Sequence, residues 1–202
     1  VGFVIFYYGK NSKKNINFFE QLVLIIASYF LTSLLVAIPF YLSNYQVTFL
    51  NSIFESISGL TGTGFSIFKN IKYLDPTLIL WRSSSQWIGG LFFLFFLIIV
   101  FSNKSFNYKM TNLSYSGESN INSEGNIKDN ILRVLIIYSV LSIIILTLLN
   151  FSGLRLFNSL NMSMTLVSGG GCLPTDSIDK IISANFQKIL FLQMSLNHMF
   201  LY

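Results

Sequence analysis

Charged side chains are scarce in this sequence. Asp, Glu, Lys and Arg make up 10% of its 202 residues, whereas a soluble domain carries about a quarter. There is one cysteine, Cys172, and one histidine, His198. A single cysteine excludes an internal disulfide, and without an obvious acid or base partner we expect Cys172 to pack or line a pore rather than act as a nucleophile. The hydrophobic content of 52% indicates an integral membrane protein.

Long apolar runs predict membrane-spanning helices. Residues 21–42 carry no charge, 78–101 contain only Arg82, and 131–151 contain only Arg133. About 20 apolar residues cross a hydrocarbon core of roughly 30 Å, so each run is long enough to span. Both arginines lie near an end of their run, where we expect the long side chain to reach the membrane interface.

Further apolar runs stand at the two ends of the chain. Residues 1–8 resemble the end of a preceding helix, and a fourth run begins near Phe186 and continues to Tyr202. No pattern of a signal peptide with a cleavage site is visible. We therefore expect a fragment that is cut within a helix at both ends.

Basic residues predict the orientation of the spans. Seven of the 13 Lys and Arg fall in the loops on one side and four in the opposite loops, so the positive-inside rule places the richer side in the cytoplasm. The net charge of +5 reflects this scatter between apolar runs and not a surface for nucleic acid. The richer side holds Lys10, Lys13, Lys14, Lys104, Lys109, Lys128 and Arg133.

The sequence contains an internal repeat. Two short segments, 46–60 and 155–167, have a helical pattern but are too short and too polar to span. An offset of 107 positions (168 − 61 = 107) aligns them and also lays "TGTG" at 61–64 over "SGGG" at 168–171. The same offset carries the first span onto the third. Such repeats indicate one unit used several times.

The repeat divides the chain into four parts. Residues 1–19 hold the end of a preceding helix and a basic cytoplasmic loop, 20–101 the first pore unit, 102–127 a flexible cytoplasmic linker rich in Asn, Ser and Gly, and 128–202 a truncated second pore unit. The predicted fold class is an all-α integral membrane protein. Its repeated unit is a spanning helix, a re-entrant pore half-helix with a filter strip, and a second spanning helix.

The glycine strips have the composition of an ion-binding loop. Non-helical backbone at membrane depth survives only where protein buries it or where it lines a watery path. Glycine lets successive carbonyls point the same way, and rings of carbonyls can replace the hydration shell of a monovalent cation. Ser and Thr add hydroxyl oxygens without charge. Divalent sites usually use carboxylates, and the strips contain none; they also lack the Lys of a phosphate-binding loop.

Several quoted motifs resemble one family. "FLNSIFESISGLTGTGFSIF", "WRSSSQWIGGL", "FNSLNMSMTLVSGGGCLPTDSI" and "SLNHMFLY", with Asn197 at the matching position, follow one another at the spacing of the Trk/Ktr/HKT superfamily of potassium transporters. The resemblance is specifically to the membrane subunit of the bacterial Trk system, and it covers nearly the whole chain.

The resemblance implies four units arranged around one pore in a single polypeptide, of which this chain holds the first and most of the second. It implies Gly64 and Gly171 as the key filter glycines. The family often has Thr at the positions of Gly62 and Gly169 and an aromatic at Cys172, so we expect a looser second strip here. The implied K⁺-binding positions are Thr61, Gly62, Thr63, Gly64, Ser168, Gly169, Gly170 and Gly171.

The function predicted from these features is potassium uptake across the cell inner membrane by a multi-pass protein, with K⁺ as the transported ion and no cofactor. We expect no enzyme activity, because no acid/base pair or activated nucleophile is visible. The resemblance further implies a homodimer in the bilayer and a cytoplasmic nucleotide-binding regulatory subunit. Two alternatives remain open: a Na⁺-permeable or poorly selective cation transporter, and a non-conducting membrane subunit.

Polar and small residues near the strips have two interpretations each. Glu55 either holds the filter from behind or reaches the outer water, and we favour a structural or electrostatic role over direct coordination of the ion. Arg82 and Gln86, four apart on one helix face, contact either a pore-loop carbonyl or only the interface. Gly89 and Gly90 are expected to allow close helix approach.

Overall fold

The computed structural model describes residues 17–101 and 123–175. Within these ranges the chain is helical, without strands, and the predicted all-α membrane class is confirmed. Three long helices alternate with two short ones. Their bounds are α1 Phe18–Tyr41, α2 Phe49–Thr61, a 3₁₀ turn Ile71–Tyr73, α3 Pro76–Phe101, α4 Ser123–Phe151 and α5 Leu156–Ser168.

The long helices have the length and composition of membrane spans. Their apolar stretches are Phe19–Tyr41, Pro76–Val100 and Asp129–Phe151, of 23, 25 and 23 residues. At about 1.5 Å per residue each exceeds the roughly 30 Å of a hydrocarbon core. Large apolar side chains such as Ile26 and Ile143 are exposed on α1 and α4, as expected of surfaces that face lipid.

The linker and α4 meet at a different place from the one predicted. α4 begins at Ser123, so residues 123–127, predicted as the end of a flexible loop, are helical. Apolar periodicity marks only the part of a helix that contacts lipid or protein. A polar extension carries no such mark, yet each added residue still gains a helix hydrogen bond.

Several predictions concern residues outside the described ranges. The end of a preceding helix falls in residues 1–16, most of the linker in 102–122, and the fourth apolar run with Asn197 and His198 in 176–202. These stay predictions.

The two short helices end in the same way. Each has 13 residues, and they end at Thr61 and Ser168, which lie 107 positions apart. The next residue is a left-handed glycine in both cases, Gly62 with φ 70° and Gly169 with φ 68°. This conformation is open to glycine because it has no Cβ to clash. The helix therefore stops and the chain enters the strip at equivalent points.

Two consecutive glycines let α3 pack against both short helices. Gly89 faces the backbone of Leu60 at the end of α2, where any Cβ would overlap main-chain atoms. Gly90 faces the end of α5, where a Cβ would lie 3.1 Å from the Cβ of Ser168. The expected close approach is confirmed, with one glycine for each short helix.

Tryptophans tie α3 to the other long helices. Trp81 Nε1 donates to the carbonyl of Val36 on α1 at 3.1 Å, and Trp87 Nε1 donates to Ser142 Oγ on α4 at 2.8 Å. Small buried hydroxyl residues allow the helices to approach closely, as in other membrane bundles. They are Ser33, Ser52, Ser56, Ser58, Ser83, Ser85, Ser159, Ser163 and Thr165.

Replacing Gly89 by alanine is expected to destabilise the protein. The new Cβ would overlap the carbonyl of Leu60, and relief requires a backbone shift, so the cost is about 1–3 kcal/mol or more. The unfolding temperature in detergent measures this cost. Ser84→Ala is the control, because Ser84 is half-buried on the same helix and makes only a long contact with Met164 Sδ, at 3.8 Å. Equal unfolding temperatures for both variants and the wild type would contradict the packing.

Candidate ion-binding site

The two glycine strips lie side by side. A Cβ built on Gly64 would lie 2.8 Å from the Cα of Gly171, the position that the repeat makes equivalent (64 + 107 = 171). A Cβ on Gly62 would lie 3.8 Å from the carbonyl oxygen of Ser168 and 3.9 Å from the Cα of Gly170. The fold therefore brings the eight predicted positions together from two distant parts of the sequence.

The carbonyls of the strips are left free of internal hydrogen bonds. Among the described residues, none of the carbonyls of 61–64 and 168–171 accepts one. The next carbonyl is turned back toward the short helix in both strips: Phe65 O accepts from Ser58 Oγ at 2.6 Å, and Cys172 O accepts from Thr165 Oγ1 at 2.8 Å. The free row of carbonyls ends at the same point in each strip.

The hydroxyl groups of the strips face their own helices. Thr61 Oγ1 donates to the carbonyl of Ile57 at 2.8 Å, and Ser168 Oγ donates to that of Met164 at 2.9 Å. Thr63 Oγ1 lies 3.3 Å from a carbonyl of α2 in the same manner. The oxygens left for an ion are thus mainly the backbone carbonyls, whereas the composition had suggested hydroxyls as well.

A buried ion pair stands behind the first strip. Arg82 Nε lies 2.6 Å from Glu55 Oε1, and each side chain is 2% exposed. Glu55 also accepts from the N–H of Ile67 at 2.9 Å and from Ser66 Oγ at 3.0 Å. The prediction that Arg82 reaches the interface is wrong, because a buried carboxylate supplies the counter-charge that permits it to stay inside. Glu55 lies behind the strip.

The second strip is supported differently. Met162, buried on α5, stands where the repeat would place a counterpart of Glu55 (55 + 107 = 162), so no carboxylate reaches the strip from its own helix. Gln86 of α3 takes this place. With its amide oriented so that each donor meets an acceptor, Oε1 accepts from the N–H groups of Gly171 at 3.2 Å and Cys172 at 3.1 Å.

Cys172 is a packing residue. Its side chain is 4% exposed, and its Sγ lies 3.6 Å from Arg82 Nη2. Arg82 therefore contacts both strips, through Glu55 on one side and the thiol on the other. The guanidinium nitrogen Nη1 has no hydrogen-bond partner within the described residues.

Thr61 and Gly62 of the first strip and residues 168–171 of the second form one wall of a cavity of about 1050 Å³. Apolar side chains of α1 and α3, such as Phe30 and Phe93, line much of the remainder. Both short helices end at this wall, and the C-terminal end of a helix carries a partial negative charge of about half an elementary charge. The electrostatics of the wall favour a cation.

Residues 4–196 match the family model of TrkH, described as a cation transport protein. The chain belongs to the TrkH family. This confirms the resemblance drawn from the motifs around the two strips.

Curated and solved relatives extend beyond this chain. An uncharacterized cation transporter of Methanocaldococcus jannaschii is 31% identical over 160 residues, covering 78% of this chain and 33% of the relative. TrkG, a Trk system potassium uptake protein of Escherichia coli, is 27% identical over 183 residues, covering 85% and 36%. The crystal structure of the potassium transporter TrkH from Vibrio parahaemolyticus matches with a TM-score of 0.64 at 21% identity, covering 91% and 36%. The chain thus spans about a third of these relatives' length and has the TrkH fold.

The sequence did not reveal the partners of Arg82 and Gln86. It left Arg82 and Gln86 with the choice of a pore-loop carbonyl or the interface, whereas Arg82 binds a carboxylate and Gln86 binds backbone N–H groups. The available signal was their spacing of four on an apolar helix, since buried polar groups need partners. The alignment of Met162 with Glu55 also pointed to unequal support for the strips.

Removing one charge of the buried pair is expected to destabilise the protein more than removing both. Glu55→Gln or Arg82→Gln leaves a buried charge without its partner, which costs about 3–5 kcal/mol. The double variant leaves two neutral amides that can still bond. Thermal unfolding in detergent of the wild type, both single variants and the double variant gives the coupling. A double variant as unstable as the sum of the singles would contradict the pairing.

The two key glycines are expected to respond unequally to alanine. Gly64 has φ 74°, and its Cβ would collide with Gly171, so Gly64→Ala should lower the unfolding temperature in detergent, given strain of about 1–3 kcal/mol. Gly171 lies outside the left-handed region, and its Cβ would make an ordinary contact at 3.5 Å. Gly171→Ala is therefore the matched control and should keep an unfolding temperature close to that of the wild type. An equal decrease in both variants would contradict the asymmetry.

Proposed function

We propose that this chain forms part of a potassium-selective pore, in which the carbonyls of both strips replace water around a dehydrated K⁺. The observation that carries the proposal is the row of carbonyls at 61–64 and 168–171, which two adjacent strips contribute and which accept no hydrogen bond from the described residues. Rings of backbone carbonyls suit a desolvated monovalent cation. The whole transporter's uptake activity is part of this proposal, since the chain spans a third of its relatives.

The charge distribution supports a monovalent ion. The strips contain no carboxylate, and the nearby Glu55 is bound to Arg82 and to backbone behind the first strip. Divalent ions are usually held by several carboxylates. Carbonyl dipoles and two helix C-termini attract a cation without binding it too tightly to leave.

The relatives of known function point to potassium in particular. TrkG of Escherichia coli is a potassium uptake protein and the matched structure is a potassium transporter. We extend that ion to this chain, together with a multi-pass location in the cell inner membrane. A homodimer and a cytoplasmic nucleotide-binding regulatory subunit are proposed on the same family basis.

A poorly selective or Na⁺-permeable transporter is the second candidate. The strips are not identical: Gly170 stands where the first strip has Thr63, and only Gly64 of the two key glycines has a left-handed φ. We expect an ion path with two different strips to discriminate less sharply between K⁺ and Na⁺. This difference is the specific observation that favours the alternative.

Ion competition separates the candidates. The complete gene product is expressed in cells lacking their own K⁺ uptake systems, and ⁸⁶Rb⁺ uptake is measured with K⁺ or Na⁺ as competitor. We expect growth at low K⁺ and competition by K⁺ at concentrations at least about tenfold below those of Na⁺, since a tenfold ratio is about 1.4 kcal/mol. Equal competition by Na⁺ would support the second candidate. Absence of uptake despite membrane expression would contradict conduction.

A further inference from the structure

We propose that Gln86 sets the ion preference of the second strip from outside that strip's own unit. Gln86 belongs to α3, the closing helix of the first predicted unit, and its partners belong to the second. The inference rests on the proposed potassium pore and adds a positioning residue to it. Gln86 does not touch the ion; it acts through the backbone of Gly171 and Cys172.

The orientation of the peptide groups in the second strip shows how Gln86 acts on its carbonyls. A trans peptide points its C=O and the following N–H in opposite directions. The Gln86 amide oxygen holds the N–H groups of Gly171 and Cys172, so the carbonyls of Gly170 and Gly171 point away from α3. Both glycines line the cavity, whereas Gln86 is fully buried and does not line it. The amide therefore directs these two carbonyls toward the ion path.

The hydroxyl group of Thr165 connects Gln86 to the carbonyl of Cys172, which follows the free carbonyls of the second strip. Gln86 Nε2 donates to Thr165 Oγ1 at 3.1 Å, and Thr165 donates to Cys172 O at 2.8 Å. In the first strip Ser58 makes the equivalent bond to Phe65 O, at 2.6 Å. The amide thus holds the second strip at two N–H groups directly and at one carbonyl through Thr165.

Gly170 is the steric complement of Gln86. A Cβ on Gly170 would lie 2.6 Å from both Nε2 and Oε1 of Gln86. The backbone itself does not demand glycine there, because Gly170 is outside the left-handed region. The equivalent residue of the first strip is Thr63 (63 + 107 = 170), in a strip held by Glu55 instead. The glycine is present because the glutamine occupies the space.

Two roles of Gln86 can be separated by experiment: orienting the second strip through hydrogen bonds, and only filling space. If Gln86 only fills volume, Gln86→Met should preserve function, because methionine has a similar length without the hydrogen bonds. If it positions the strip, the same variant should still carry Rb⁺ but lose selectivity, and its unfolding temperature should fall because the N–H groups of Gly171 and Cys172 are left buried without a partner. We expect the ratio of Rb⁺ to Na⁺ uptake to fall about tenfold, in proportion to the loss of hydrogen bonds that orient the carbonyls.

A double-variant cycle tests the steric complement. Gly170→Ala alone should lower the Rb⁺ to Na⁺ ratio, because the new methyl group displaces the amide. In the Gln86→Ala background the space is open, so Gly170→Ala should have little further effect and the two changes should be clearly non-additive. Gln21→Ala, near the start of α1, makes the same chemical change as Gln86→Ala outside the site and serves as the control.

The outcomes distinguish this inference from the pore proposal. A wild-type protein that carries no Rb⁺ overturns the proposed function. A wild type that carries Rb⁺, with Gln86→Met unchanged in its ion ratio, overturns the role of Gln86 alone. Additive effects in the cycle overturn the pairing with Gly170. If Gln86→Ala fails to reach the membrane, Gln86→Met and Gly170→Ala still decide, because neither opens a cavity.

Discussion

The structure depends on satisfying backbone N–H groups behind a strip whose carbonyls must stay free. Lipid offers no hydrogen bonds, so side chains from neighbouring helices have to supply them. Here Glu55 binds the N–H of Ile67 behind the first strip, and Gln86 binds those of Gly171 and Cys172 behind the second. In the second strip each supported N–H belongs to the same planar peptide as a strip carbonyl, that of Gly170 or Gly171, so the support determines that these carbonyls face the other side.

Helix α3 combines most of this support. Gly89 and Gly90 bring it against the ends of the two short helices. From one helix face, Arg82 contacts Glu55 behind the first strip and the thiol of Cys172 after the second, and Gln86 contacts the second strip. The buried pair of Arg82 and Glu55 is costly to desolvate and is tolerated because it is closely bonded. Its carboxylate is therefore committed to the scaffold, which leaves the neutral carbonyls of the strips for the proposed ion.

Much of this architecture could be predicted from local sequence. Apolar runs gave the long helices to within a few residues except at Ser123, where a polar extension has no periodicity. The predicted segments 46–60 and 155–167 stop within one residue of the ends of the short helices, Thr61 and Ser168, and the offset of 107 aligned the strips. The partners of Arg82 and Gln86 were not predictable, because they lie 27 and 86 positions away. The spacing of residues on one helix shows that they share a face, but it does not show which residues of other segments pack against that face.

Direct location of the ion tests the central claim most simply. Crystals of the protein grown with Rb⁺ or Tl⁺ in place of K⁺ would reveal the ion by its anomalous scattering. The account predicts peaks within carbonyl coordination distance of residues 61–64 and 168–171, on the side of the strips away from Gln86. Ions bound elsewhere, or peaks beside Glu55 with none along the strips, would contradict it.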